Sequence, residues 1–411
     1  MTPEIEKRIK AVQAGRVPAG YKRTKVGIVP KEWDVQSFGE ISFKTGRKKK
    51  KEEDYPVYSI NNQKGFCSQA EQFENDGYAN TSKDSYTLVE KGTFAYNPAR
   101  INIGSIGLLK EPDKVIISSL YVCFGLNKNC NLVFFESYFK SHRFNYDVSN
   151  YTEGSVRQYL FYDNFSKINV AIPPLSEQKK IAEILATQDR VIELKEKLIA
   201  EKQSQKKYLM SVLLGDDFKK PFKLNGVTID KKKWEKSTIG KISDISTGNK
   251  DTQNKKDNGK YPFYVRSPNP EKIDTYSYDG EAILTAGDGV GVGKVIHYVT
   301  GKFDFHQRVY KISDFDNHKA WGRFVYFYFL EHFYNRVKRM SAKNSVDSVR
   351  YNMISEMPLN LPALPEQKAI AEVLSAADEE ISLLQKDLEQ EKLKKKSLMQ
   401  LLLTGLVRVN E

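Results

Sequence analysis

A chain of 411 residues has room for two or three domains at a prior of roughly 150 residues each, and its 40% hydrophobic and 12% aromatic content excludes a disordered chain. A formal net charge of +13 points to a polyanionic partner, because lysine and arginine contacts to phosphate release counterions. No apolar run reaches the ~18 residues of a membrane span. The charged opening MTPEIEKRIK is no signal peptide, and Cys67, Cys123 and Cys130 show neither zinc nor disulfide spacing, so a cytoplasmic protein without a membrane partner is expected.

Residues 1–19 read as a helical N-terminal segment, and residues 20–171 as a first mixed α/β globule rich in Tyr, Phe, Val and Ile. In this globule Trp33 is followed by Gly39, Ile41 and Thr45-Gly46, then by a basic run from Arg47, Lys48 and Lys49 to Lys51 that suits phosphates. After Tyr55-Pro-Val-Tyr58, a predicted strand leads to Asn61, Asn62, Gln63 and Lys64, whose amides and ammonium have base-reading chemistry. Arg100 and Asn102 sit in a similar glycine-bearing turn. The stretch Asn97-Pro-Ala-Arg100 lacks the second proline and the aromatic residue of an adenine-methyltransferase motif, and no glycine-rich cofactor motif precedes it. Lys114–Phe124 predicts one strand and Leu132–His142 a helix. Arg157 and Gln158 add donors near the end of the globule.

Residues 172–215 predict a long helix, with apolar residues at Ile181, Ile184, Leu185, Val191, Leu198, Leu209 and Val212 and charged residues between them. A proline-led capping-type opening precedes it, and Gly215 stands where a C-cap would. Residues 216–233 read as a polar linker. Residues 234–360 form a second globule that opens like the first: Trp234 is followed by Gly240, Ile242 and Thr247-Gly248, and Tyr261-Pro-Phe-Tyr264 matches Tyr55–Tyr58. Its candidate nucleic-acid contacts are Asn249, Lys250, Arg266, Asn269, Asp288, His306, Gln307, Arg308 and Arg350. The run Ala286–Lys294 fails both GxxxxGK[ST] and GxGxxG, and reads as a turn that lets backbone approach DNA. Lys294–Val299 predicts a strand and Ala320–Arg336 a helix.

Residues 361–405 repeat the long helix, and 406–411 form a tail. The stretches 172–214 and 361–403 align without a gap, matching Glu177-Gln178 with Glu366-Gln367 and Asp189 with Asp378. Rods of ~37 residues, about 55 Å, need a partner, so the two are expected to pair antiparallel as a coiled coil. The fold class is therefore α/β: two mixed globules separated by two long antiparallel helices, pseudo-two-fold symmetric. The five histidines show no metal spacing, and no nuclease signature follows Pro112-Asp113, so neither a catalytic site nor a metal is assigned.

The opening Gly20-Tyr-Lys-Arg-Thr-Lys-Val-Gly27 with Pro30 and Trp33, the twice-used IPPLxEQxxIAxxL-type helix start, and LLTG at 402–405 together resemble the specificity subunit of type I restriction–modification systems over the whole chain. The resemblance implies that each globule is a target-recognition domain reading one half of a bipartite, asymmetric site on double-stranded DNA. It implies that the helices set the gap and dock two methyltransferase subunits, and that ATP-dependent translocase–nuclease subunits join the complex. Cofactors are then expected on the partners (S-adenosylmethionine, ATP and Mg2+) and none in this chain, which is expected not to be an enzyme. The alternatives are a single-chain DNA methyltransferase or nuclease with fused recognition domains, and a coiled-coil scaffold. A scaffold leaves two large, unlike aromatic globules without a purpose.

Overall fold

The computed structural model describes residues 2–62, 64–69, 85–154, 158–215, 220–289, 291–340 and 348–409. The chain divides into two compact units, Met1–Lys195 with Asp387–Glu411, and Glu196–Lys386.

The first unit begins with the helix Pro3–Gln13 and the hairpin Tyr21–Thr24/Gly27–Pro30. Strand Asp34–Ser37 then pairs antiparallel with Asn169–Ile172, so the globule is closed where it begins and ends. Between these ends lies an antiparallel four-stranded sheet in the order Ile106–Leu108, Phe94–Tyr96, Val122–Leu126, Ser42–Lys44. A second sheet is formed by Lys114–Ile117, Thr87–Glu90 and Arg47–Lys48, and Tyr58–Asn61 pairs with Gly65–Ser68. Asn131 and Ser141 cap the helices Leu132–Tyr138 and His142–Tyr151 by accepting from the Phe134 and Phe144 N–H groups. The core is aromatic: Phe38 stacks on Phe165 at 4.6 Å, Phe94 on Phe124 at 5.3 Å, and Phe139 meets both Phe94 and Phe124 edge-on.

The second unit repeats this plan. Strand Glu235–Thr238 pairs antiparallel with Pro358–Leu361, and the four-stranded sheet runs in the same order: Ile296–Val299, Ala282–Ala286, Val309–Ser313, Asp244–Thr247. The remaining strands differ, forming a sheet in the order Glu271–Ile273, Tyr261–Tyr264, Lys302–Phe305, Tyr278–Asp279 with one parallel pairing. The helix Gly322–Met340 buries Phe324, Phe327, Tyr328 and Phe333 in this unit's own core.

Both repeats are helical, Leu175–Leu214 and Leu364–Leu403. In the first unit the stretches 175–195 and 387–403 run antiparallel, joined by Asp189–Lys395, Lys195–Asp387 and a 2.6 Å bond from Gln188 to Glu391. In the second unit Lys206–Asp378 and Lys202–Glu380 join 196–214 to 364–386. Lys206 and Asp378 are the repeat equivalents of Lys395 and Asp189, so one ion pair is built twice.

The motif Glu-Gln at the start of each helix ties helix to globule. Gln178 donates to the Pro173 and Asn129 carbonyls and accepts from Asn131 N–H; Gln367 donates to the Pro362 and Lys319 carbonyls and accepts from Trp321 N–H. Each glutamine thus holds the loop that launches an aromatic helix of its own unit. The neighbouring Glu177 accepts from the indole of Trp33 at 2.9 Å, and Glu366 from that of Trp234 at 3.4 Å. Glu177 is 3% exposed and takes a fork of two bonds from Arg408, so the chain's last described turn is bound to the first unit.

Several expectations need correction. Within 216–233, expected to be a polar linker, Phe222–Leu224/Val227–Ile229 form a hairpin turning on Asn225-Gly226 with φ of 46° and 81°, and 216–219 lie outside the described residues. Tyr21–Trp33 aligns without a gap on Phe222–Trp234, and both stretches form hairpins, in registers two residues apart: Tyr21 faces Pro30, whereas Phe222 faces Ile229, the equivalent of Ile28. Lys114–Phe124 is two strands, broken by a turn in which Tyr121 N–H donates to Ser118. Gly405 adopts the left-handed C-cap conformation at φ 70°, but Gly215 does not: a Cβ there would lie 2.4 Å from the Ser211 carbonyl oxygen. Leu198 is 38% exposed while Ile199 is buried, so the seam passes one position later than expected. Among the described residues no helix is long and apolar enough to cross a membrane.

Candidate nucleic-acid interface

The pairing of the shared sheet decides which loops meet. In the first unit Val122 faces Tyr96, so the connection 97–105 and the turn 118–121 emerge at the same end, and Thr45 leaves beside them through its bond to the Cys123 carbonyl. In the second unit Val309 faces Ala286, so 287–295 and 306–308 emerge together, with Gly248–Lys250 alongside. Each unit therefore presents three segments at one end of the same sheet, and they carry Arg100 and Asn102 in the first unit and Asn249, Lys250, Asp288, His306, Gln307 and Arg308 in the second.

In the first unit Arg100 and Asn102 are exposed on the 97–105 connection. The hairpin carrying Asn61, Asn62 and Lys64 is held against it: Ser105 Oγ donates to the Ile60 carbonyl at 2.9 Å, and Gly107 packs so closely on Gly65 that a Cβ would come within 2.8 Å of it. Gln158 follows in an exposed loop anchored by the bond from Leu160 N–H to the Pro98 carbonyl. Gln63 and Arg157 lie outside the described residues.

The basic run is not uniformly available to phosphate. Arg47 forms a two-pronged pair with Glu53, which also accepts from Lys50 N–H. The guanidinium and then this N–H hold the Glu53 carboxyl down at about 2. Lys49 donates to the Glu53 and Lys50 carbonyls, so Arg47 and Lys49 fold the loop, while Lys48, Lys50 and Lys51 stand exposed.

In the second unit the candidates converge further. Asp288 lies between two arginines, with Arg266 Nη1 at 2.8 Å and Arg308 Nη1 at 3.5 Å. His306 is 3% exposed beneath them, and its Nδ1 accepts from Arg308 N–H at 2.9 Å. Burial, then the positive charge of Arg266, pushes the imidazole below its ordinary value, opposed by Asp251 and Asp288, which suits a ring that accepts at Nδ1. Gln307 donates to Asp251 at 2.9 Å and through its backbone to the Lys250 carbonyl. Asn249 is exposed beside Lys250, Asn269 is exposed on the loop after Arg266, and Arg350 is exposed next to Val349, whose N–H donates to the Gly287 carbonyl.

Two glycines of the run are closely packed against backbone rather than open. A Cβ on Gly287 would meet the Arg308 carbonyl oxygen at 2.8 Å, and one on Gly291 the Arg266 carbonyl oxygen at 2.7 Å. These glycines seat both arginine backbones, and Gly289 at φ 78° stands open.

Sequence reasoning missed Glu53 and Asp251, the acidic partners, because it searched for cations and amides. It also missed Ile103 and Leu120, 58% and 77% exposed on the first unit's loops. The shared sheet makes the turn 118–121 the counterpart of 306–308, a match visible only once the strands are paired.

The sequence model for the type I restriction modification DNA specificity domain matches residues 30–202 and again 231–393. The chain belongs to the type I restriction–modification DNA specificity family. Among its relatives are the type I restriction enzyme MjaVIII specificity subunit of Methanocaldococcus jannaschii, 26% identical over 93% of this chain and 94% of that protein, and the putative MjaX specificity subunit of the same organism, 24% identical over 95% and 97%. The EcoDI specificity subunit of Escherichia coli is 27% identical over 38% of this chain and 34% of its own length. The fold is that of the type I S subunit from M. genitalium, with a TM-score of 0.59 at 14% identity over 92% of this chain and 96% of that one. A chain from a structure on complex assembly and conformational transition of the type I R-M system gives 0.58 at 15% identity, covering 92% and 99%. As a specificity subunit the chain carries two family domains, and a single-chain methyltransferase or nuclease finds no support in these likenesses.

Proposed function

We propose that each unit of this specificity subunit reads one half of a bipartite, asymmetric site on double-stranded DNA, using the loops gathered at one end of its shared sheet. The observation that carries this reading is the family domain found twice, each copy presenting a different set of cations and amides on equivalent loops. Cations position a duplex and amides or guanidinium forks read base edges. Unlike loop sets imply unlike half-sites. The long helices set the gap and dock two methyltransferase subunits, and ATP-dependent translocase–nuclease subunits complete the assembly. S-adenosylmethionine, ATP and Mg2+ then belong to the partners, this chain performs no catalytic step, and the complex works in the cytoplasm. Partners that methylate a base inside a duplex must flip it out, which requires the duplex to be held in register.

The test is a methyl-transfer assay on host DNA, with the purified chain alone and with its methyltransferase partners. Transfer only in the presence of partners, at one bipartite motif, supports the reading. Transfer by the chain alone, free of partner contamination, sinks it.

A further inference from the structure

We propose that Arg266 and Arg308, buttressed by Asp288, form the base-reading pair of the second unit, and that the half-site read by this unit contains guanine. This rests on the DNA-reading role proposed above and adds the chemistry of one half-site.

Three observations carry it. The first is the number of charges: one carboxylate serves two guanidinium groups, each contacting it through a single nitrogen, so donors remain on both forks. The arginine side chains are 46% and 64% exposed, the aspartate only 23%, so the carboxylate sits behind and the forks in front. The second is what the cluster is not needed for. Ion pairs this exposed add little to stability, so a fold-holding role does not account for two of them on one acid. The third is the rigidity of the frame: Gly287 and Gly291 leave no room for a side chain against the Arg308 and Arg266 carbonyls. His306 Nδ1 holds Arg308 N–H, and Gly287 N–H donates to the Arg308 carbonyl. With the backbones fixed by these contacts and the guanidinium groups held on Asp288, the side chains lose less rotamer freedom when they bind.

The choice between phosphate and base follows from Asp288. A carboxylate about 3 Å from a phosphate contact repels the anion the arginines would bind. At a base edge the same carboxylate aims the forks without opposing them. A held arginine fork matches guanine O6 and N7 in the major groove, the commonest specific contact of this side chain. The first unit has no such pair among its described candidates; its equivalent loops carry a single arginine, Arg100, together with Asn102, Ile103 and Leu120. The two half-sites are thus read by different chemistry.

The experiment uses the assembled methyltransferase complex. Genome-wide methylation mapping gives the motif, and duplexes carrying it are titrated in competition with duplexes altered at single positions. Lys in place of Arg keeps the charge and loses the fork. R266K or R308K is expected to reduce discrimination at a guanine of one half-site by roughly ten- to a hundred-fold and to leave the other half-site unchanged. Replacing that guanine by 7-deazaguanine, which lacks the N7 acceptor, reproduces the loss in the unsubstituted complex and adds nothing further in the variant. D288N weakens the same position with both arginines present. A mapped motif without guanine in the half-site these variants affect overturns the proposal. So does uniform weakening on every sequence with a shallower salt dependence, the signature of a phosphate contact, or unchanged specificity in both lysine variants. Failure of the unsubstituted complex to prefer any sequence is a different result, and rejects the DNA-reading role itself.

Discussion

At the residue scale the clearest case is the glutamine of the repeated Glu-Gln motif. The repeat itself was plain in the sequence, but the duty of Gln178 and Gln367 was not, because their partners lie 47 and 46 positions upstream, at Asn131 and Trp321. Both are almost fully buried, and each pairs with two carbonyls and one N–H. Removing the amide leaves those groups unpaired, at a cost of roughly 1–3 kcal/mol. Q178L is therefore expected to destabilise the first unit and Q367L the second, by about that amount, whereas leucine at the exposed Lys179 changes little. Hydrogen exchange read separately over each unit checks this, and equal protection in Q178L and the unsubstituted chain contradicts it. The candidate contacts were legible in the same partial way. Residue type selected Arg266, Asp288 and Arg308 singly, but three sequence-distant segments had to fold together before they became one cluster.

At the element scale, strong periodicity was read correctly and short elements were not. The two 40-residue helices carry a three-four spacing that only a helix explains. The hairpin at 222–229 was hidden because it sits in a lysine-rich run, although its Asn-Gly turn is the local signal that could have revealed it. What periodicity also could not show is that the helix seam is partly ionic. Lysines at 195, 202, 206 and 395 are mostly buried at or beside it and meet acids on the facing stretch of their own unit. A polar position in an apolar seam fixes register at some cost in stability. The pairs Lys206–Asp378 and Lys395–Asp189 should therefore be coupled. K206D and D378K each place like charges together and are expected to destabilise the second unit, while the double exchange recovers most of the loss. A double-mutant cycle should give a coupling of about 0.5–1 kcal/mol, falling as salt rises. The equivalent cycle at Lys395 and Asp189 should read out in the first unit. A coupling indistinguishable from zero at both sites removes the seam pairs as register devices.

At the scale of the whole molecule, duplication is what the sequence displayed best, and the structure shows where each copy's globule is closed. Each unit has its own core, and in each a two-stranded pairing closes the globule: Asp34–Ser37 with Asn169–Ile172, and Glu235–Thr238 with Pro358–Leu361. The hairpins before Trp33 and Trp234 lie outside those pairings and stand at the same place in both units, so they belong to the shared frame rather than to the reading loops. A graft cut at residue 20 would exchange frame along with reader. One cut inside the pairing, replacing 38–168 by the matching segment of another family member, leaves the Trp33–Glu177 contact and the long helices untouched. The first unit's core mixes frame residues Ile181, Leu185 and Leu402 with reader residues Phe134, Phe135 and Tyr138, so the donor must bring apolar residues at the latter positions. The Gln178 contacts to 129 and 131 run to backbone and therefore tolerate a change of side chain. The expected outcome is a methylation motif altered in one half-site only, with the other half-site and the unread gap retained; replacing 239–357 should alter the other half. Methylation mapping of the assembled enzyme decides it. If either graft assembles with its partners and changes both halves at once, the units do not read independently, and the duplication serves assembly rather than recognition.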